Sequence, residues 1–238
     1  MQLGNFRIDA PSDWRLALAG ATQRLLGDTI ALSDAGWQEQ TALPGWSRAH
    51  IAAHLSHHAR AIAVMAADLM ATHRPVVWRT NLDDVTLNAE ARQRSIALQE
   101  SLDQSAAALN RSFEAMDDLA WQTSVITSQG SLPASSFIPD RINHLTIHNI
   151  DLDVGYDFTD IDPELARTLL QWNVYRASPR FNTVKLIIIS DEGLSLTVGR
   201  GTPVEVRGTE ANLLGWVTGR KNSSVVLGAD ELDLAGPA

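Results

Sequence analysis

The chain has 238 residues, of which 45% are hydrophobic, enough for one large folded domain or two ordinary ones. Its 19 basic and 28 acidic residues give a net charge of −9, which opposes binding to nucleic acid or to anionic lipid. The absence of cysteine excludes disulfides, thiolate metal ligands and a cysteine nucleophile. Any metal ion must therefore be held by imidazole or carboxylate groups. The acidic net charge favours small-molecule or protein partners over nucleic acid and lipid.

The sequence has no feature of a secreted or membrane protein. Its first residues, MQLGNFRIDAPSDW, lack a basic start followed by an apolar run. No stretch approaches the roughly 20 apolar residues of a membrane span. We therefore expect a cytoplasmic protein that does not bind membranes, and we expect it to be a monomer.

Helical patterns dominate the first 155 residues. Ser12 or Asp13 can cap the first helix, and Ser47 can cap the second. Apolar residues recur at helical spacing in each segment, which favours a four-helix bundle. A Gln129-Gly130 turn predicts two short strands before the last helix. The predicted helices cover roughly residues 11–32, 47–70, 83–116 and 133–151.

The helical pattern ends at VGYDFTDIDPE, a polar and turn-rich segment that we interpret as a linker. Beyond it, apolar and β-branched runs separated by Gly or Pro alternate with two helical patterns. We predict an α+β protein in which a four-helix bundle (residues 1–158) precedes a small α+β domain (residues 159–238). The expected C-terminal elements are helices at 163–177 and 209–220, strands at 183–190, 193–199 and 202–208, and one further strand in SVVLG (224–228).

Six of the seven histidines fall in two short stretches, HIAAHLSHHA and HLTIH. On a helix, residues four apart lie above one another, so each stretch offers pairs that can hold one metal ion. At about 100° per residue, His54 and His58 face the interior of the bundle, whereas His50 and His57 lie nearer its edge. The spacing does not choose between His54 and His58.

The fourth predicted helix places polar residues on one inward side: Arg141, His144, His148 and Asp151. Burying such groups without partners costs several kcal/mol. They are therefore expected to be metal ligands, to be hydrogen-bonded to one another, or to line a cavity. If a metal binds, three imidazoles from two helices resemble a catalytic zinc site, which keeps a fourth position open. Asp151, three residues after His148, and Asp140, one turn before His144, could each orient a neighbouring imidazole. Alternatively, both are ordinary solvated carboxylates.

Two segments, LPGWSRAHIAAHLSHHA and RINHLTIHNIDL, resemble the mycothiol-dependent maleylpyruvate isomerase family, which lies within the DinB-like group of metal-binding four-helix bundles. In that family a Gly-Trp-[Ser/Thr] turn opens the second helix, and a histidine eight residues after the tryptophan is a ligand. Here that position is His54. An Arg-x-x-Glu-x-x-x-His-x-x-Asp-Leu motif supplies two further ligands, which correspond to His144 and His148. The segment GTEANLLGWVTGR also resembles the C-terminal domain of these enzymes.

The resemblance implies a zinc ion, or another divalent metal, on His54, His144 and His148. It favours His54 over His58, which the helical spacing leaves as an alternative ligand. It also implies mycothiol as the thiol cosubstrate. In the isomerase reaction the thiolate adds to the cis double bond of maleylpyruvate, the intermediate rotates, and elimination gives the trans product. A transferase would release the adduct instead.

An electrophile that bears a carboxylate requires a cationic group in the protein. By resemblance Arg220 is the first candidate, and Arg141 is the second. Arg220 could equally be a charge at a helix end, and Arg141 an ion-pair partner within the bundle. One departure from the family pattern is His144, which replaces Glu and makes the metal centre one charge unit more positive, favouring a bound thiolate or hydroxide.

Two other functions are consistent with the same residues. The first is a metal-dependent hydrolase that uses metal-bound water, which would turn over without any added thiol. The second is a non-catalytic module that binds a metal or another small ligand. The leading hypothesis is a zinc- and thiol-dependent isomerase or S-transferase.

Overall fold

The computed structural model describes residues 2–3, 6–8, 13–80, 83–229 and 232, which fall into two compact units. The first unit is Arg15–Tyr156. The second is Asp157–Ala238 together with the N-terminal segment, where β1 (Gln2–Leu3) and β2 (Phe6–Arg7) form an antiparallel ribbon. No helix among the described residues is long and apolar enough to cross a membrane.

Helices form most of the first unit. The long helices α1 (Trp14–Thr29), α3 (Arg48–Thr72) and α7 (Phe137–Asp151) correspond to the first, second and fourth predicted helices, and α5 (Ser95–Ala115) covers the later part of the third. The pairs that pack together include α3 with α5 and α3 with α7, and hydrogen bonds join the end of α1 to α5 and α7. Asp13 precedes α1, whereas Pro11 and Ser12 lie outside the described residues. The helices are α1 (Trp14–Thr29), α2 (Asp34–Trp37), α3 (Arg48–Thr72), α4 (Asp84–Glu90), α5 (Ser95–Ala115), α6 (Asp118–Gln122) and α7 (Phe137–Asp151).

Helix α3 is the centre of the bundle, and its sequence explains both its ends and its buried face. The predicted cap Ser47 precedes it, and the backbone N–H of Ser47 donates to Nδ1 of His50 at 3.1 Å. The helix ends at Thr72, and the next residue, His73, caps it in a left-handed conformation. Completely buried apolar side chains follow one another along its inner side at helical spacing: Ile51, Leu55, Ile62 and Leu69.

The prediction of one unbroken helix over residues 83–116 is wrong, because the chain turns between α4 and α5. No Gly or Pro marks the break. The polar groups that it exposes are instead bound by side chains distant in sequence. Gln38 donates from Nε2 to the carbonyl of Ala91 at 3.0 Å, and the backbone N–H of Ser95 donates to Oδ1 of Asp34 at 2.6 Å. Tertiary contacts therefore offset the loss of helical hydrogen bonds at this point.

Arg48, the first residue of α3, ties three parts of the bundle together. Its Nη1 donates to the Glu39 carboxylate at 2.6 Å, beyond the end of α2. Its Nε donates to the carbonyl of Leu152 at 2.6 Å, and its Nη2 donates to the carbonyl of Asp153 at 3.0 Å, just beyond the end of α7. This set of bonds, which we call the Arg48 clamp, fixes the start of α3 against the end of α7.

A small sheet completes the first unit. Strands β4 (Ser124–Thr127) and β5 (Gly130–Pro133) form the predicted hairpin, with Gly130 at φ 124°. Strand β3 (Val76–Val77) follows α3 and pairs with β4 in parallel, which the sequence analysis did not predict. The sheet order is β3-β4-β5.

The second unit is the predicted α+β arrangement. Its helices are α8 (Pro163–Ala177) and α9 (Glu210–Val217), and its strands are β6 (Val184–Ser190), β7 (Ser195–Gly199) and β8 (Thr202–Gly208). The sheet order is β7-β6-β8, with β7 antiparallel and β8 parallel to β6. Leu186 and Ile188 of β6 are completely buried, as are Leu213 and Leu214 of α9. The confirmed fold class is thus a helical N-terminal part followed by an α+β part.

The predicted strand in SVVLG does not form. Residues Ser223–Val225 make a short 3-10 helix, and only Leu227 pairs with β8, through reciprocal backbone bonds with Arg207. Gly228 then turns the chain away at φ 81°. Because only one residue pairs with β8, this segment does not form a strand.

The connection between β7 and β8 crosses the start of β6 and requires glycine. Gly201 has φ 110°, and a Cβ at this position would lie 2.1 Å from the carbonyl oxygen of Thr183. That contact is with backbone, so it cannot be relieved by a side-chain rotation. Gly193 also has positive φ, at 88°, but nothing lies within 4 Å of its virtual Cβ. Substituting alanine at Gly193 therefore measures the energetic cost of the positive φ alone, whereas alanine at Gly201 adds the cost of the backbone clash.

We expect Gly201→Ala to lower the free energy of unfolding by more than about 2 kcal/mol, because it adds a backbone clash to an unfavourable φ. Gly193→Ala, the matched control, is expected to cost about 1 kcal/mol from the conformation alone. Chemical denaturation of both variants measures the difference. Equal losses of stability in the two variants would contradict the crossing geometry.

Candidate metal centre

Helices α3 and α7 run antiparallel and bring together three histidines that are far apart in sequence. His54 of α3 faces His144 and His148 of α7, and one ring nitrogen from each lies within 4.8 Å of the other two. The ring centroids of His54 and His148 are 4.9 Å apart, and those of His54 and His144 are 5.7 Å apart. Such spacing suits three ligands around one ion.

Hydrogen bonds orient two of the three imidazoles. Nδ1 of His148 lies 2.9 Å from Oδ2 of Asp151, and Nδ1 of His144 lies 3.0 Å from the backbone carbonyl of Asp140. Since both oxygens are acceptors, each Nδ1 carries the proton, and each Nε2 keeps its lone pair for a ligand. His54 has no ring hydrogen bond among the described residues and is held by packing.

Trp46 forms one wall beside the histidines. Its ring centroid lies 5.2 Å from that of His54 and 6.4 Å from that of His148, with the latter pair stacked at 24°. Large aromatic side chains usually serve as packing anchors in a core, and the sequence predicts this role for Trp37, Trp46, Trp172 and Trp216. Trp37, Trp172 and Trp216 are indeed buried, whereas Trp46 is only half-buried. In the sequence, Trp46 differs from the three buried tryptophans because it directly precedes Ser47, the residue that caps α3.

The environment keeps the imidazoles of His54 and His144 neutral. Burial lowers the pKa of His54 to about 2, and the neighbouring His148 and His58 act in the same direction. Burial also holds the pKa of His144 well below its usual value, aided by His58. A neutral imidazole is the form that binds a metal ion. His54 and His144 can therefore bind a cation at neutral pH without first releasing a proton.

A second group of polar residues lies directly behind His144. His58 is completely buried, and its Nε2 lies 3.0 Å from Oδ2 of Asp140, which is also completely buried. The guanidinium of Arg141 donates to the carbonyl of Leu55 at 2.8 Å and approaches Nδ1 of His58 at 3.4 Å. We call His58, Asp140 and Arg141 the buried triad. His58, Asp140 and His144 form a second set of potential ligands within 4.8 Å of one another.

The two arginines considered as substrate clamps have different surroundings. Arg141 is 1% exposed, and its pKa of about 9, lowered by burial, keeps it charged at neutral pH. Its bonds to the bundle favour the alternative of a partner within the protein over contact with a substrate. Arg220 lies in the second unit just after α9, where its Nη1 donates to the carbonyl of Thr218 at 2.6 Å.

The remaining histidines lie outside the centre. His50 caps the start of α3 and contacts Oδ1 of Asn88 through Nε2 at 3.0 Å. His57 is half-buried on α3, and His73 pairs with Asp117 at 3.0 Å. The prediction that His50 and His57 lie nearer the edge than His54 and His58 agrees with this placement. The buried triad itself was not predicted, although Asp140 and Arg141 had each been singled out.

Comparison with known proteins identifies related chains. Residues 18–153 match the family model of the mycothiol maleylpyruvate isomerase N-terminal domain. Two solved structures are similar: the crystal structure of the mycothiol-dependent maleylpyruvate isomerase and that of a histidine-to-alanine mutant of the same enzyme. Each has a TM-score of 0.75 and 22% identity, covering 90% of this chain and 92% of that chain. A search of curated proteins finds no match.

The depressed histidine pKa values predict how the metal-free protein responds to acid. Between the usual pKa of 6.5 and the folded-state value of about 2, the unfolded chain binds a proton at His54 that the folded chain does not. The free energy of unfolding should therefore fall as the pH falls through this window, by up to about 2 kcal/mol for His54 between pH 7 and pH 5.

Chemical denaturation of the metal-free protein at pH 7 and pH 5 measures this change. The His54→Gln variant should lose less stability than the wild type over the same interval. His57→Gln, a change on the same helix outside the centre, should behave like the wild type. An identical pH dependence in the wild type and His54→Gln would show that His54 does not resist protonation in the folded state.

Proposed function

The chain belongs to the mycothiol maleylpyruvate isomerase N-terminal domain family, as its motifs indicate, and on this basis we propose that it is a metal- and thiol-dependent isomerase or S-transferase. The single observation that carries the proposal is the convergence of His54, His144 and His148 from two helices. We propose that these three residues hold a divalent metal ion, with zinc as the expected ion. The thiol is mycothiol or a related low-molecular-weight thiol.

The residues that are present suit such an ion. Three neutral imidazoles can supply three ligands, and a catalytic zinc site with three protein ligands leaves one position for an exchangeable group. Asp151 and the backbone carbonyl of Asp140 hold Nδ1 of His148 and His144, so both rings offer Nε2. This arrangement of an oxygen acceptor behind each ligand is typical of metal-binding histidines.

The chemistry explains why a chain without cysteine depends on an external thiol. A bound divalent ion lowers the pKa of a thiol and so makes a thiolate available near neutral pH. The role of His54, His144 and His148 is to present three uncharged donors, which leaves the positive charge of the centre undiminished. The half-buried Trp46 packs beside two of these residues, His54 and His148.

We propose that the second substrate is a small electrophile bearing a carboxylate, and that Arg220 binds this carboxylate. The support is the resemblance of the segment that ends in Arg220, together with the engagement of Arg141 inside the bundle. Because reduced thiols persist in the cytoplasm, we also propose that the protein works there, as a monomer.

Metal analysis and thiol-dependent turnover test the proposal together. We expect the purified wild type to contain about one zinc ion per chain and to isomerise maleylpyruvate, or to conjugate a model electrophile, only when a thiol is added. His54→Ala should lose both the metal and the activity. His57→Ala, which changes the same residue type on the same helix, should retain both.

The other outcomes are equally informative. Turnover without any thiol would favour a metal-dependent hydrolase, in which bound water takes the place of the thiol. Stoichiometric metal with neither thiol binding nor turnover would favour a non-catalytic binding module. Absence of metal from wild-type protein reconstituted with zinc would mean that the histidines serve packing, and the proposal would be wrong.

Arg220→Met tests the carboxylate clamp separately. We expect KM for a carboxylate-bearing electrophile to rise at least about tenfold, because a hydrogen bond between charged groups is lost, while metal content stays unchanged. Arg200→Met is the control, since Arg200 is an exposed arginine of the same unit, in the turn between β7 and β8. Steady-state kinetics with both variants decide the matter, and equal KM values for the two would remove Arg220 from the site.

A further inference from the structure

The geometry points to a positioning role for His58 and Asp140: together they hold the His144 imidazole in the orientation in which it can bind a metal ion, and they are not ligands themselves. This inference rests on the metal centre proposed above. It assigns a role to His58 and Asp140, which are not among the three proposed metal ligands. His58 and Asp140 are both completely buried between α3 and α7, directly behind His144.

The order of hydrogen bonds in the buried triad follows from the chemistry of arginine. A guanidinium carries only donors, so Nδ1 of His58, 3.4 Å from Nη1 of Arg141, must be the acceptor. The proton of the neutral His58 ring is then on Nε2, which lies 3.0 Å from Oδ2 of Asp140. Arg141, in turn, is fixed by its 2.8 Å bond to the carbonyl of Leu55. The chain of donors thus runs from Arg141 through His58 to Asp140.

Asp140 in turn contacts the ring of His144 through two oxygens. Its backbone carbonyl accepts from Nδ1 of His144 at 3.0 Å, and its carboxylate Oδ2 lies 3.5 Å from the same nitrogen. In addition, the His58 ring stacks on the His144 ring with centroids 3.8 Å apart and planes inclined by 19°. The bonds fix which nitrogen of His144 carries the proton, and the stacking fixes the plane of its ring.

The same residues could be read as a second metal site, but their charges oppose it. A divalent ion between His58 and Asp140 would displace the proton that joins them. It would also lie in a fully buried region next to the guanidinium of Arg141, where a second cation is strongly disfavoured. Both ring nitrogens of His58 already have partners. Positioning therefore explains the contacts better than ligation.

Titration with Co²⁺ and Zn²⁺ tests the role, using metal affinity and the visible spectrum of the Co²⁺ protein as readouts. The main variant is Asp140→Asn, which keeps the size of the side chain but removes its charge. Loss of such an outer partner is expected to weaken metal binding 10- to 100-fold and to alter the Co²⁺ spectrum. His58→Gln should act in the same direction, and it decides the question if Asp140→Asn does not fold.

Ser56→Ala is the matched control. Ser56 is completely buried on α3, two residues from His58, and its hydroxyl has no hydrogen-bond partner among the described residues. This variant should bind Co²⁺ as tightly as the wild type. Circular dichroism and thermal unfolding of each variant establish that it is folded before metal is added.

Three results would overturn the inference. Folded Asp140→Asn and His58→Gln proteins with wild-type affinity and spectrum would show that neither residue positions His144. Two ions per wild-type chain, reduced to one in these variants, would show that His58 and Asp140 are ligands. No Co²⁺ or Zn²⁺ binding by the wild type would end the proposed metal centre and this inference together, and it is distinguishable because it is measured before any variant.

Discussion

Desolvation between α3 and α7 is the physical constraint on which the candidate centre depends. Polar side chains enter this region from both helices, and each has a cost of burial that only a partner can offset. The polar side chains between the two helices form two layers. Behind lies the buried triad, in which a guanidinium, an imidazole and a carboxylate satisfy one another. In front lie the three imidazoles of His54, His144 and His148, whose ring nitrogens converge. The rear layer holds one member of the front layer, His144, through the carbonyl of Asp140 and the stacked ring of His58.

The sequence predicted those parts of the fold that depend on local chemistry. The start of α3 after Ser47, the Gln129-Gly130 turn and the strands of the second unit all follow from caps, turn residues and β-branched runs. The interruption between α4 and α5 could not be predicted in this way. Its residues favour helix, and the turn exists because Gln38 and Asp34, both distant in sequence, bind the backbone there.

The candidate site shows the same division. Helical spacing placed His144 and His148 on one face and turned both His54 and His58 inward. It could not rank the last two, because a helical wheel contains no information about what lies opposite each residue. The roles of Asp140 and Arg141 depended on the same missing information. Seen from α7 alone, Arg141 is a candidate for binding a substrate. Seen with α3 in place, its guanidinium is bonded to the carbonyl of Leu55.

The Arg48 clamp has a consequence for this choice. Histidines recur along α3 at intervals of one turn, so sliding α3 along α7 by about 5.4 Å would bring His50 or His58 to the place of His54. Side-chain packing alone would tolerate such a slip poorly but not forbid it. Two hydrogen bonds from the guanidinium to the carbonyls of Leu152 and Asp153 fix the start of α3 at the end of α7, and a third, to Glu39, holds the guanidinium in place. In the proposed metal centre, Arg48 thereby selects His54, six residues after it, over His50 and His58 as the third ligand.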